Sequence, residues 1–197
     1  DPGRVVLIVR RPKDVMLSAL NYQELTSRGR VDDNEAFVED FIAGGGEPYW
    51  RRSYGTWLGH TFSWILDRPS SLPVLAVSYE QLSADPESIL TRVIEFLGAD
   101  PDGERVTAAV EASRLDKLRS LEEEEVQATQ SESDTGSEAP AGDSPRFFNK
   151  GGVRQTIEEV LGLPLDERFD EVFDPKIEAA RQIIDAGATE TAGDAFF

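Results

Sequence analysis

The sequence predicts an α/β fold, rich in helix and built on a parallel sheet. Three observations carry this reading. Val5–Val9 and Val74–Val77 are short apolar runs without polar alternation, the pattern of strands buried on both faces in a parallel sheet. Roughly seven other segments repeat apolar residues at three- and four-residue steps, the period of an amphipathic helix. The opening, RVVLIVRRPKDVMLSALNY, reads as strand, basic turn and helix in immediate succession. Two strands cannot cover their own edges, so the sheet is expected to be incomplete, truncated at the N-terminus.

The first strand stops at Arg10-Arg11. Pro12 suits a first helical turn, where its missing N–H would have had no partner, and the helix is expected to run to about Thr26. Arg10 thereby stands at the carboxyl end of a strand beside a helix N-terminus, where open α/β sheets bind anions. Ser27–Asp33 reads as a polar loop. Ala36–Ala43 reads as a short helix with Phe37, Val38, Phe41 and Ile42 on its apolar side, ended by Gly44-Gly45-Gly46. In the aromatic stretch YWRRSYGTWLGHTFSWIL, Tyr54, Trp57, Leu58, Thr61 and Ile65 recur at helical spacing. That periodicity predicts core helix rather than a ligand-binding face.

Pro73 leads into the second strand. Asp85-Pro86 opens a helix with Ile89, Val93, Ile94 and Leu97 inside, closed by Gly98. Asp100-Pro101 reads as another helix start. Leu115, Leu118 and Leu121 mark a further helix that enters an acidic run. Residues 122–145 are rich in Glu, Ser, Thr and Gly and read as a flexible acidic insertion. After FFNKGG come helices around Gln155–Leu161, Pro164–Phe173 and Pro175–Ala186, with Asp174-Pro175 read as a cap. Residues 1–186 are expected to form one domain and 187–197 a disordered tail.

Composition narrows the function. The formal net charge of -18 opposes nucleic acid and anionic membranes as bulk partners, so any anion site must rest on local positive groups. No run is long and apolar enough to span a membrane, and no signal peptide is visible. The absence of cysteine excludes disulfides, cysteine metal sites and cysteine nucleophiles, and is compatible with a cytoplasmic location. An acidic surface with few lysines suits either a salt-rich cytoplasm or an ordinary acidic cytoplasmic protein. The first residue is Asp, which reads as a fragment of a longer protein or a trimmed chain.

In order along the chain, several motifs resemble those of the PAPS-dependent, cytosolic-type sulfotransferases, where PAPS is 3′-phosphoadenosine-5′-phosphosulfate. Arg10 followed by Pro12-Lys13-Asp14, with Ser18 on the next helix, resembles the family's strand-end signature. Tyr54-Gly55-Thr56-Trp57, continuing through His60 and Trp64, is similar to its Tyr-Gly-Ser-Trp segment. VLAVSYEQLSADPESILTRVIEFLG resembles its Tyr-Glu strand and following helix. SRLDKLRSLE resembles its Ser-Phe segment, and FFNKGG its Phe-Arg-Lys-Gly loop.

The resemblance implies a P-loop-like three-layer fold and a PAPS cosubstrate that leaves as PAP, with no metal. It implies that Arg10 and Ser18 hold the 3′-phosphate and that Tyr79 and Ser113 border the adenine. Lys150 and Gly151 would wrap the phosphate, with Arg154 as a basic equivalent. The set is chemically coherent, since a phosphate dianion calls for Arg or Lys charge, hydroxyl donors and close backbone approach together. The expected partner is a small-molecule hydroxyl or amine acceptor, with a homodimer allowed. The chain departs from the family at Arg11 for Asn, Arg114 for Phe and Asn149 for Arg, and it lacks the Trp expected after the loop. The family's phosphosulfate loop and catalytic His map upstream of the opening strand, so no catalytic residue is assigned. His60, the only histidine, is read as touching the acceptor pocket rather than as the base. A catalytically inactive nucleotide-binding or scaffold module, and a P-loop nucleotide kinase, are the rival readings.

Overall fold

The computed structural model describes residues 3–25, 33–67, 69, 71–132 and 155–186. Strand β1 (Val5–Val9) is followed by helices α1 (Pro12–Leu25), α2 (Asn34–Gly44), α3 (Pro48–Tyr54) and α4 (Trp57–Ile65). Strand β2 (Val74–Ser78) leads into α5 (Tyr79–Ala84), α6 (Pro86–Phe96), α7 (Gly103–Ala112), α8 (Leu115–Glu132), α9 (Ile157–Leu161) and α10 (Asp166–Ala186). The two strands pair in parallel, from Val5 opposite Val74 to Val9 opposite Ser78. This is the expected helix-rich α/β architecture with a parallel sheet.

Burial divides into three clusters. The largest is helical: Met16, Ala19 and Leu20 of α1 meet Phe37, Val38, Phe41 and Ile42 of α2, Ile157 of α9, and Phe169 and Phe173 of α10. The Phe169 and Phe173 rings stack at 4.4 Å, and Phe41 lies 5.9 and 5.8 Å from them. The sheet contributes the other two. Leu7, Val9 and Ala76 pack with Trp57 and Ile65, while Leu75, Val77 and Ile89 pack with Val6, Leu82, Val93 and Phe96. No helix among the described residues is long and apolar enough to cross a membrane.

Several expectations change on inspection. β1 is not buried on both faces along its length, because Ile8 is 55% exposed. The aromatic stretch is two helices rather than one. Gly55, at φ 78°, ends α3, and the Thr56 hydroxyl accepts from the Gly59 N–H to start α4. A positive φ favours glycine, so the break is written into the sequence at a residue that apolar periodicity ignores. Asp174-Pro175 does not end a helix, since α10 runs through Pro175. Phe169, Phe173 and Ala180 are buried on both sides of that proline, and their packing holds the helix across the missing N–H. Leu97 caps α6 with its side chain outside, and Phe96 takes the inward position instead. The helix marked by Leu115, Leu118 and Leu121 is present as α8, with Leu115 and Leu121 exposed. Helix α8 continues to Glu132, into the stretch read as a flexible insertion. Its Glu, Gln and Ala residues are good helix formers despite their polarity.

Candidate functional site

The parallel register sets the geometry of the site. Val9 and Ser78 are partners at the carboxyl ends of the strands, so Arg10 and Tyr79 leave the sheet side by side. The Ser78 hydroxyl accepts from the Gln81 N–H at 3.0 Å and the Gln81 side chain accepts from the Ser78 N–H at 3.5 Å. This reciprocal cap starts α5 directly at Tyr79. The Arg10 guanidinium lies over the Tyr79 ring, 4.4 Å from its centroid.

The backbone beside Arg10 is held by two side chains. The Trp57 indole Nε1–H donates to the Arg10 carbonyl at 3.0 Å, and the Arg11 N–H donates to Glu80 Oε1 at 3.2 Å. Two polar atoms of the cluster, Arg10 Nε and Glu80 Oε2, are buried without a hydrogen-bond partner. Neither Trp57 nor Glu80 stands out in the sequence as a functional residue. Both lie inside recognisable motifs, but an aromatic at helical spacing and an acid after a strand are ordinary features.

Lys13, buried at the start of α1, forms ion pairs with Asp166 at 2.7 Å and Asp170 at 2.8 Å. Asp166 also accepts from the N–H groups of Ile157 and Glu158, both at 3.0 Å, and so ties the start of α9 to α1. Burial alone would push the Asp166 carboxyl up. The hydrogen bond from Lys13 and those from the two N–H groups outweigh it and hold the carboxyl below the usual carboxylate range. Burial would likewise lower the Lys13 ammonium, but its hydrogen bonds to Asp166 and Asp170, with their charges, raise it above the ordinary lysine value.

At the β1 carboxyl end lies a largely apolar cavity of about 420 Å³, with Ile8, Arg10, Trp50, Tyr54, Trp57 and His60 in its wall. Helix α4 serves both core and cavity: Thr61 is buried and Trp57 and Ile65 pack against the sheet cluster, as expected, while Trp57 and exposed His60 also line the cavity. Buried Glu47 also lines this cavity. It caps α3 through the Trp50 N–H and accepts from Gln23 Nε2 at 2.7 Å.

The structure brings together two of the residues singled out from the sequence, Arg10 and Tyr79. Ser18 is exposed on α1, about two turns from its start. Ser113 caps α7 with its hydroxyl donating to the carbonyls of Ala109 at 2.9 Å and Val110 at 3.2 Å. Among the described residues, no hydrogen bond, ion pair or ring contact joins either serine to Arg10 or Tyr79. Lys150, Gly151 and Arg154 lie outside the described residues.

A family profile described as "Sulfotransferase domain" matches residues 2–181. Sulfotransferase 1A1 of Mus musculus is 28% identical over 117 residues, which cover 59% of this chain and 38% of the relative. Amine sulfotransferase of Oryctolagus cuniculus is 23% identical over 178 residues, covering 87% of this chain and 53% of the relative. The chain thus spans well under two thirds of the length of these curated relatives. A crystal structure of mouse sulfotransferase SULT7A1 complexed with PAP superposes with a TM-score of 0.63 at 22% identity, over 93% of this chain and 62% of that one. At that identity the likeness establishes a common fold.

Proposed function

This chain belongs to the sulfotransferase family, and we propose that it supplies the 3′-phosphate and adenine side of a PAPS site. The whole enzyme would move a sulfuryl group to a small-molecule hydroxyl or amine acceptor. PAPS brings the sulfuryl group and leaves as PAP. The transfer is an in-line displacement that depends on positioning and charge stabilisation.

The observation that carries this reading is Arg10. Its guanidinium is stacked on an aromatic face at the carboxyl end of a parallel strand, and its buried Nε has no partner. A half-buried cation with unused donor capacity beside a tyrosine ring suits a phosphate attached to a purine nucleoside. With a net charge of -18, the chain needs such a local positive group to hold so anionic a ligand. Ser18, Ser113, Lys150, Gly151 and Arg154 join the site on the family resemblance. The presence of PAP in the mouse structure supports the same cofactor. The cavity beside α4 is read as one wall of the acceptor pocket, with His60 contacting the acceptor rather than acting as the base. A cytoplasmic setting belongs to the same reading.

Calorimetric titration with PAP and with ATP in high salt tests the proposal. Selective PAP binding is expected, and Arg10→Ala should weaken it by about 1.5–3 kcal/mol, the scale of a charged hydrogen bond. A folded chain that takes up neither nucleotide, or both equally, overturns the reading.

A further inference from the structure

We infer that Trp57 and Glu80 are positioning residues that aim Arg10 at the nucleotide phosphate by clamping the Arg10–Arg11 peptide group between them. The inference rests on the nucleotide reading above. The Arg10 carbonyl and the Arg11 N–H belong to one peptide plane. The first accepts from the Trp57 indole on α4, and the second donates to Glu80 on α5. A plane held at both polar atoms by two separate elements cannot rotate without breaking one of those bonds. The Arg10 side chain leaves the backbone one bond from the clamped carbonyl carbon, so the clamp sets the direction in which the guanidinium departs.

Each arm is itself anchored. Trp57 packs against the cluster of Leu7, Val9 and Ala76, and Glu80 is 9% exposed. A plain structural role explains Glu80 poorly. One N–H could be capped by a serine or asparagine, whereas the carboxylate also buries a second oxygen, Oε2, with no partner. Trp57 is also part of the cavity wall, so one indole touches both the cavity and the arginine's backbone.

The test uses Trp57→Phe, Glu80→Ala and Glu80→Gln, each checked for cooperative unfolding, together with Arg10→Ala. Trp57→Phe keeps an aromatic ring against the sheet but removes the donor together with part of the indole's bulk, and the unfolding measurement reads the packing loss separately. Both Trp57→Phe and Glu80→Ala should weaken PAP binding about three- to tenfold, the scale of one hydrogen bond acting through the arginine it positions. Glu80→Gln, which keeps an acceptor for the Arg11 N–H, should stay within about twofold of the parent. Combined with Arg10→Ala, Trp57→Phe should cause no further loss, because it acts through that arginine. Unchanged affinity in both clamp variants, or a full additional loss in the Arg10→Ala background, overturns the inference.

A second measurement needs no nucleotide. The Arg10 Nε–H NMR resonance, assigned by its disappearance in Arg10→Ala, should carry a ring-current shift from Tyr79 that Trp57→Phe diminishes. A resonance indifferent to Trp57→Phe defeats the clamp. A parent chain that leaves PAP unbound defeats the functional reading instead, and the resonance still decides the clamp.

Discussion

Phe41, Phe169 and Phe173 are each at most 1% exposed, whereas Ile8, in the strand that delivers Arg10, is 55% exposed. The first three knit α2 and α10 into a stacked aromatic core. Ile8 borders a cavity at the carboxyl end of the sheet. The contrast separates two duties. Apolar burial is concentrated between helices that present few of the candidate binding residues. At the strand ends, Arg10 and Glu80 each leave a buried polar atom unpaired. The helical region holds the chain together, and the sheet end is arranged around chemistry that its own residues leave unsatisfied.

The sharpest way to break this contrast is Phe173→Ala. The ring touches two other buried rings, so its loss should cost about 3–5 kcal/mol in denaturant unfolding. A cost under about 1 kcal/mol would place the main core elsewhere.

Asp166→Asn comes next, at about 1–3 kcal/mol, because Lys13 loses one of two partners and the α9 cap weakens. Its pH dependence has a definite sign. The Asp166 carboxyl is held below its ordinary value, so its contribution is full above the usual carboxylate range. That contribution disappears as pH falls through the lowered folded value. The stability gap between the parent and Asp166→Asn should therefore be widest near neutrality and close in acid. Lys13 behaves oppositely: its raised value keeps its contribution intact below the ordinary lysine value, and it is lost as pH rises through the folded one. A gap that stays constant into acid would remove the carboxylate from this account.

The smallest effect belongs to Ile8→Thr. An exposed strand position that tolerates a β-branched polar residue should change stability by no more than about 0.5 kcal/mol. A loss comparable to that of Phe173→Ala would erase the distinction between the two regions.

Which features were legible in the sequence follows from the range over which each signal acts. The two strands, the Pro12 helix start and the strand-end place of Arg10 are local features, and the structure has all of them. The apolar side of α2 was also legible, because Phe37, Val38, Phe41 and Ile42 carry their period on one short helix. Pro175 misleads because packing far along the chain overrides a local stop signal. Leu97 misleads because an apolar residue at a helix end need not find a neighbour, whereas the helix marked by Leu115, Leu118 and Leu121 is present as α8. Tyr79 and Arg10 could be paired through family motifs, but the stacking itself depends on register, which neither strand encodes alone. The roles of Trp57 and Glu80 were illegible for the same reason. Each completes a peptide group that lies dozens of residues upstream.

The parallel register also has a kinetic consequence. Val5 and Val74 stand 69 positions apart, as do Arg11 and Glu80, and among the described residues four helices, α1 to α4, lie between the strands. Closing so long a segment exacts its entropy before any ladder bond forms, and parallel pairing is slow for that reason. Individual helices can form from neighbouring residues on submicrosecond timescales, but Arg10 and Tyr79 become neighbours only once the two strands have met. A partly folded chain can thus be helical before Arg10 has met Tyr79, and the proposed nucleotide site would not exist until that long-range contact has formed.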